Sequence, residues 1–223
     1  MATPRVRSAN AASMDTLAPH LPRTIATSSG NATLSLLTAA SLPPHTRDTL
    51  YSLFDANIGP LAKGTSMEHE EQAKREEMFD PDARFLLLSR TAMPGTLREQ
   101  GQVEEGELLG FVSFRFDTEE TMGTRDVEVV YCYELQLSPS ARGAGLGRHL
   151  MTELEGIGKS RGMKKSMLTC LAGNAPALAF YAKVGYTPDE IDPTLIAEED
   201  GWEDVDENGE DSKPDYRILS RVL

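Results

Sequence analysis

The segment ELQLSPSARGAGLGRHLM, residues 134–151, constrains the fold of this chain more than any other. A strand-like run ends in Arg142, and glycines alternate at Gly143, Gly145 and Gly147. An amphipathic helix then begins at once, with Leu146, Leu150, Leu154 and Ile157 on one face. Glycine admits positive φ and close approach of a ligand to the backbone. The first turn of a helix exposes unpaired N–H groups at the positive end of the helix dipole. Together these make a cradle suited to phosphate. Two familiar phosphate loops do not fit. The dinucleotide fingerprint G-x-G-x-x-G would need glycine where Arg148 stands, and the Gly-Lys-Ser/Thr of the P-loop is absent. Taken alone, the stretch is equally a plain glycine-rich turn from strand to helix.

The remaining patterning sets this turn within alternating strands and helices. NATLSLL reads as a short strand, and HTRDTLYSLFDANIGPL has helical spacing at Leu50, Leu53, Phe54 and Ile58. TSMEHEEQAKREEMF predicts a charged helix, with Thr65 and Glu68 matching a capping box. ARFLLLS is a strand, and the polar run from Arg90 to Glu107 is a loop with Pro and Gly. LLGFVSFRF and DVEVVYCYELQL predict a hairpin across DTEETMGTR. KKSMLTCL is a strand, NAPALAFYAKVG a helix, YTPDEI the start of a strand, and DYRILSRVL a closing strand. No internal repeat is visible. This order predicts an α/β domain around a mixed sheet.

At 223 residues, 39% of them hydrophobic, the chain fits one domain with extensions. No apolar run approaches the length that crosses a bilayer, so no membrane segment is expected. Residues 1–30 lack an apolar signal core. Their arginines and few acids admit a transit-peptide reading, but a disordered Ser/Ala/Pro tail is the expectation. Cys132 and Cys170 sit in strand-like runs without metal-ligand spacing, which predicts buried, reduced thiols in a cytoplasmic or nuclear protein and no metal site. The net charge is −13. Thirteen acids and a single lysine between Asp189 and Asp215 carry nearly all of it. This excludes a basic nucleic-acid footprint. It predicts a solvated acidic insertion at about 192–215, able to attract a basic partner.

Arg142-x-x-Gly145-x-Gly147, followed at the right separation by NAPALAFYAKVGY, resembles the pyrophosphate loop and following helix of the GNAT superfamily of acetyl-CoA-dependent N-acetyltransferases. The resemblance implies the GNAT fold: a mixed, mostly antiparallel sheet with a splayed central strand pair and flanking helices, spanning residues 31–223. It implies acetyl-CoA as co-substrate and no metal. Arg142, Gly143, Ala144, Gly145, Leu146, Gly147 and Arg148 would cradle the pyrophosphate. Leu135, Gln136 and Leu137 would bond the pantetheine arm along the splayed strand, and Asn174 would bond the same arm.

KREEMFD, FRFD, YCYELQL, MKKSMLT and YRILSR together resemble the NatD family, which acetylates the N-terminal α-amine of core histones whose tails begin Ser-Gly-Arg-Gly. By that resemblance Glu134 is the candidate general base. Tyr133 orients the amine or relays its proton, and Tyr181 protonates the leaving thiolate. Asp117, Thr118 and Glu119 would grip the arginine of the tail, and Tyr133, Thr169 and Tyr216 would touch the peptide. The partners implied are basic histone tails, met by a monomer in cytoplasm and nucleus, with no direct contact to nucleic acid. The competing accounts are a structural ion pair for Glu134, a core tyrosine for Tyr133 and an ordinary helix cap for Asn174. One departure is that Ala62 and Met67 stand where the family carries tail-packing aromatics. It leaves open a GNAT enzyme for a lysine or a small amine. A third reading is a catalytically weak histone-binding module.

Overall fold

The computed structural model describes residues 2–17, 19, 21–22, 24–27, 30–90, 106–200 and 214–223. They form an α/β fold around one eight-stranded sheet. In chain order the elements are α1 (Pro4–Asn10), α2 (Met14–Leu17), β1 (Thr24–Thr27), β2 (Gly30–Thr38), α3 (Pro44–Ala62), α4 (Glu71–Met78), β3 (Arg84–Arg90), β4 (Leu108–Glu119) and β5 (Val127–Leu137). Then come α5 (Leu146–Ser160), β6 (Lys165–Leu171), α6 (Ala175–Lys183), β7 (Thr187–Pro188), α7 (Pro193–Asp200) and β8 (Tyr216–Val222). The strand order is β1-β2-β3-β4-β5-β6-β8-β7, antiparallel except for the β5–β6 pair.

Both faces of the sheet are covered. Leu86, Leu88, Val112 and Phe114 pack against α1 and α5 on one face, while Phe85, Leu87 and Phe111 pack against α3 on the other. This explains why ARFLLLS and LLGFVSF read as continuous apolar runs and not as alternating ones. α5 buries Leu150, Leu154 and Ile157 as their spacing predicts.

The strand pair that matters is β5–β6. Its parallel ladder holds only from Val129↔Lys165 to Cys132↔Leu168. Beyond that point β5 stays with β4 and β6 stays with β8, so a cleft opens between Tyr133–Leu137 and Thr169–Leu171. The separation begins at a bulge. Ser113 pairs with Glu134 and Phe114 with Cys132, which leaves Tyr133 as the extra residue. A bulge bends its strand and sharpens the twist, turning β5 away from its parallel neighbour.

Four expectations are corrected here. Residues 1–30 are not a featureless tail. Thr3 caps α1, Pro4 occupies its first turn, and Val6, Ala9 and Leu17 are buried in the main core. Arg84, itself buried, donates to the Asn10 carbonyl, and Asn10 Nδ2 donates to the Phe116 carbonyl at 3.1 Å. The Ser/Ala-rich composition hid a short apolar face that β4 covers. The capping box at Thr65 is also absent. The Thr65 hydroxyl donates to the Ala62 carbonyl, closing the end of α3, and Glu68 accepts from the Gly64 N–H. The charged helix starts at Glu71 instead. YTPDEI contributes only the two-residue β7 before α7.

The acidic insertion is likewise not solvated throughout. Asp189 and Asp192 are buried, and both are tied to neighbouring strands. Asp189 bonds Lys165 of β6, and Asp192 bonds Arg217 and the Ile218 N–H of β8. The tract at 201–211 lies outside the described residues.

Candidate active site

The splay produces two cavities that meet along β5. One, of about 700 Å³, lies between the glycine loop, the start of α5 and α6. The other, of about 520 Å³, lies between α3, α4 and the ends of β4, β5 and β6. Ile58, Leu135, Gln136, Asn174, Ala177 and Tyr181 line both, so the two form one passage through the cleft.

The first cavity has the features of an anion and pantetheine site. Gly143 and Gly145 adopt φ of 77° and 79°, the left-handed region that glycine favours. A Cβ at either would meet nothing within 4 Å, so the loop faces open space. Gly145 is the N-cap of α5 and offers no side-chain cap, which leaves the N–H groups of Leu146, Gly147 and Arg148 without intrahelical partners. Arg142, Arg148 and Lys183 add positive charge around the same opening. Along the splayed part of β5, β6 no longer pairs with the backbone edge, where the Leu137 carbonyl accepts from Asn57 Nδ2 at 3.2 Å. That edge is what an amide-bearing arm needs. The loop and strand edge therefore fit a coenzyme A molecule.

The second cavity is acidic. Glu68, Glu77, Glu119 and Glu134 line it, with Lys74 as the lysine among its lining residues and His69 beside them. Glu134 is 7% exposed and fully engaged. Its Oε1 lies 2.9 Å from Lys74 Nζ, and its Oε2 accepts from Gln136 Nε2 at 2.8 Å. Burial pushes the Glu134 carboxyl upward against the opposing pull of Lys74 and Gln136. Burial draws Lys74 down, but Glu134 and Glu77 more than offset this and hold it charged. Glu119 is pushed up by burial and then by the like charges of Asp117 and Glu120. Tyr133, the bulged residue, lies under the Arg115 guanidinium at 4.3 Å from its ring centre. Tyr181 is buried at the junction of the cavities, and burial raises its hydroxyl well above the ordinary tyrosine value.

The profile of the Acetyltransferase (GNAT) family matches residues 62–186, more than half of the chain. The chain belongs to the GNAT acetyltransferase family. Among curated relatives, a mycothiol acetyltransferase of Amycolatopsis mediterranei is 36% identical over 135 residues, covering 60% of this chain and 39% of the relative. The chain thus spans well under half the length of that relative. Among solved structures, Arabidopsis thaliana NAA60 in complex with a bisubstrate analogue superposes with a TM-score of 0.55 at 14% identity, covering 86% of this chain and 99% of that one. The NatC complex bound to Gag peptide and CoA gives a TM-score of 0.51 at 13% identity, covering 86% and 98%. At these identities the two structures establish the GNAT fold alone.

GNAT family members use acetyl-CoA, and the placement of the residues singled out in the sequence can be read against that. Leu135, Gln136, Leu137, Arg142, Gly143, Gly145, Leu146, Gly147, Arg148 and Asn174 all line the first cavity. Ala144 does not. It lines a shallower depression of about 340 Å³ on the other flank of the loop. Asn174 also caps α6, its Oδ1 accepting from the Ala177 N–H at 3.2 Å, so the structural role coexists with a place in the passage. A Cβ on Gly147 would sit 3.2 Å from the Phe180 ring, so any larger residue there needs Phe180 of α6 to give way by a few tenths of an ångström.

Glu119, Tyr133, Glu134, Thr169 and Tyr181 line the second cavity. Thr169 bonds the Tyr131 hydroxyl at 2.5 Å. The structure does not bring in the rest. Asp117 lies within the β4 ladder, opposite Val129, and is absent from the lining; its Oδ1 accepts from the Thr118 N–H at 2.8 Å. Thr118 follows the parity of Phe114 and Phe116, which face the main core, because side chains alternate along a strand. Tyr216 pairs with Leu171 in the β8 ladder, outside the lining. Met67 does line the cavity, whereas Ala62 is buried and absent from it.

Sequence reasoning missed Lys74, Glu77, His69, Phe54 and Asn57. Lys74 and Glu77 lie within KREEM, a block noticed for its resemblance and otherwise read as a solvated helix face. A lysine in a charged helix carries no sign of burial until its ammonium meets Glu134 of β5; Glu77 stays exposed at the rim.

Proposed function

We propose that this protein transfers an acetyl group from acetyl-CoA to the N-terminal α-amine of a basic peptide, of the histone-tail type beginning Ser-Gly-Arg-Gly. The observation that carries the reading is the meeting of an anion-binding cavity with a four-glutamate cavity at the β5–β6 splay. An acidic chamber attracts a cationic acceptor such as an arginine-bearing tail. The resemblance of YCYELQL and FRFD to NatD adds to it.

When bound, acetyl-CoA supplies a thioester carbonyl to which an amine can add. A peptide α-amine has a pKa of about 7.7–8.0, so part of it is neutral at pH 7 and only mild base assistance is needed. Glu134, held as a carboxylate by Lys74 and Gln136, accepts the amine proton through a water. Tyr133 orients the amine from the bulge. Tyr181, kept protonated by burial, stands at the junction and donates to the leaving sulfur. Glu119 receives the cationic side chain of the tail. To the acidic tract we assign a role in steering basic tails by charge.

A second reading takes a small amine as acceptor. It rests on the identity with the mycothiol acetyltransferase and on Met67 where a tail-packing aromatic is expected. One assay separates the two. Purified protein is incubated with acetyl-CoA and a panel of Ser-Gly-Arg-Gly peptides, internal-lysine peptides and amino-sugar thiols, and products are mapped by mass spectrometry. Acetyl on the peptide α-amine supports the first reading. Acetyl only on lysine side chains or on the small amine overturns it.

A further inference from the structure

An unbroken line of side-chain hydrogen bonds joins the anion loop to the floor of the acidic cavity. Arg142 Nη2 donates to Asn57 Oδ1 at 2.5 Å. Asn57 Nδ2 donates to Gln136 Oε1 at 3.0 Å and to the Leu137 carbonyl at 3.2 Å. Gln136 Nε2 donates to Glu134 Oε2 at 2.8 Å, and Lys74 closes the line on Glu134 Oε1 at 2.9 Å. The first link fixes the sense of the others. A guanidinium can only donate, so Asn57 turns its carbonyl to Arg142 and its amide to Gln136. Gln136 must then present its own amide to Glu134. With five donors, Arg142 can hold Asn57 and still serve an anion on the loop.

We propose that Asn57 is a positioning residue: by passing orientation from Arg142 to Gln136, it keeps Glu134 an ionised, correctly turned proton acceptor beneath the substrate amine. The inference rests on the acetyl-CoA and acceptor reading of the two cavities given above. Asn57 comes from α3, which crosses over β5; it lines the first cavity and is not among the lining residues of the second, where the acceptor amine would sit. Its amide fixes Gln136, which is 4% exposed and has Oε1 available to face Glu134 if the amide turns over. A reversed Gln136 would set a carbonyl oxygen against the carboxylate, exchanging an attraction for a repulsion. Glu134 would then hold its proton to higher pH. The other charged or titratable groups around this cavity are Lys74 and Glu77 of α4, with Glu68 and His69 just before it. To these are added Arg115 and Glu119 of β4, Tyr131, Cys132 and Tyr133 of β5, Cys170 of β6 and Tyr181 of α6. None of these restrains the Gln136 amide among the described residues; Asn57 does.

The full-length protein, Asn57→Asp and Asn57→Leu are compared for melting temperature, coenzyme A affinity by calorimetry, and kcat against pH with a basic peptide. Asn57→Asp keeps an acceptor for Arg142 but cannot donate to Gln136. Asn57→Leu removes both links without adding charge. The expected result is kcat at pH 7 lowered roughly five- to tenfold in both variants, the size expected for losing one neutral hydrogen bond, that from Asn57 to Gln136. At saturating acetyl-CoA the acid limb should move up by about half a pH unit or more, a shift read apart from any change in coenzyme A affinity, since Asn57 also lines the first cavity. If Asn57→Leu does not fold, Asn57→Asp decides alone. A folded variant with the wild-type acid limb and kcat overturns the proposal. Wild-type protein that neither binds coenzyme A nor turns over any amine overturns the reading of the cavities, and the inference falls with it.

Discussion

Lys74 Nζ and Glu134 Oε1 lie 2.9 Å apart at the floor of the acidic cavity, an ion pair between α4 and the splayed end of β5. The structural ion pair that the sequence weighed for Glu134 is therefore present, and the proton-accepting role proposed above would fall to the same carboxylate. Lys74→Met tests them together. Losing the ammonium leaves a buried carboxylate unpaired, which costs about 3 kcal/mol and shows as a lower urea midpoint. The Glu134 proton is then held to higher pH, so activity at pH 7 falls and recovers as pH rises. A lowered midpoint with an unmoved kcat–pH profile would mean that the pair is structural only.

The two loop glycines should part company. Gly145 has open space beyond its Cα, and its φ of 79° makes a substitution cost about 1–2 kcal/mol, so Gly145→Glu is expected to fold with lowered stability and to lose coenzyme A binding, with a carboxylate aimed into the anion site. Gly147→Ala presses a methyl to 3.2 Å from Phe180. Its expected effect is on stability, about 1–2 kcal/mol by overpacking. Calorimetry and thermal melts on the two proteins distinguish them; normal coenzyme A affinity in folded Gly145→Glu would remove the loop from the site.

Glu119→Gln should raise KM for an arginine-bearing peptide roughly tenfold, since a charge-assisted contact contributes about 1.5–3 kcal/mol. A peptide with alanine in place of arginine should be affected far less. Because burial and neighbouring acids raise the Glu119 pKa, the residue becomes neutral at a higher pH than an ordinary glutamate. KM for the basic peptide should therefore climb as pH falls through that raised value. Equal KM changes for both peptides would show that Glu119 does not read the cation.

Asp192 is fully buried and accepts from Arg217 Nε at 2.9 Å, from the Ile218 N–H at 3.1 Å and from the Thr194 N–H at 2.9 Å. Asp192→Ala should lower stability by about 3 kcal/mol, by stranding Arg217 and freeing the start of α7. Nearby, burial pushes Asp189 up, but the bonds from Lys165, Ser220 and Ile191 outweigh it and hold the carboxyl below the usual aspartate value. A depressed folded pKa gives stability that is present above the unfolded value of about 3.9 and is lost as pH falls through the folded one. Lys165→Met should flatten this acid dependence in urea titrations. An unchanged slope would assign acid unfolding to other groups.

Val6 is 1% exposed in the main core. Val6→Asp should destabilise the whole domain by about 3 kcal/mol or more, since a carboxylate would enter that core unpaired. The segment is also clasped by Glu128, which accepts from Thr3 at 2.8 Å and pairs with Arg5. Burial pushes the Glu128 carboxyl up, yet the bonds from Thr3 and Arg5 hold it below the ordinary glutamate value. The clasp is thus present above the unfolded pKa and is lost as pH falls through the folded one. Wild-type melting of Val6→Asp would show that α1 contributes nothing to the fold.

The sequence by itself determined the local elements that carry strong signals. The glycine alternation with an amphipathic run behind it marked a strand–turn–helix junction, and β3 to α6 follow the apolar patterning within a few residues. Those signals are local: φ-permissive glycines, period-3.6 faces and apolar runs act within one element. Glu134 stood out as a carboxylate within a strand-like run, while Tyr133 and Tyr181 were marked only by the family resemblance. Tertiary structure decided what those groups face. The bulge at Tyr133 depends on a register shift against β4 that no single strand encodes. The pairing of Lys74 with Glu134 and the place of Asn57 between Arg142 and Gln136 depend on helices laid across the sheet from 60 to 85 residues away. Thr118 fell to the wrong face for the same reason, since strand parity is fixed only when the register is. The N-terminal helix looked like a tail because two small apolar residues, Val6 and Ala9, form a face only where β4 receives them.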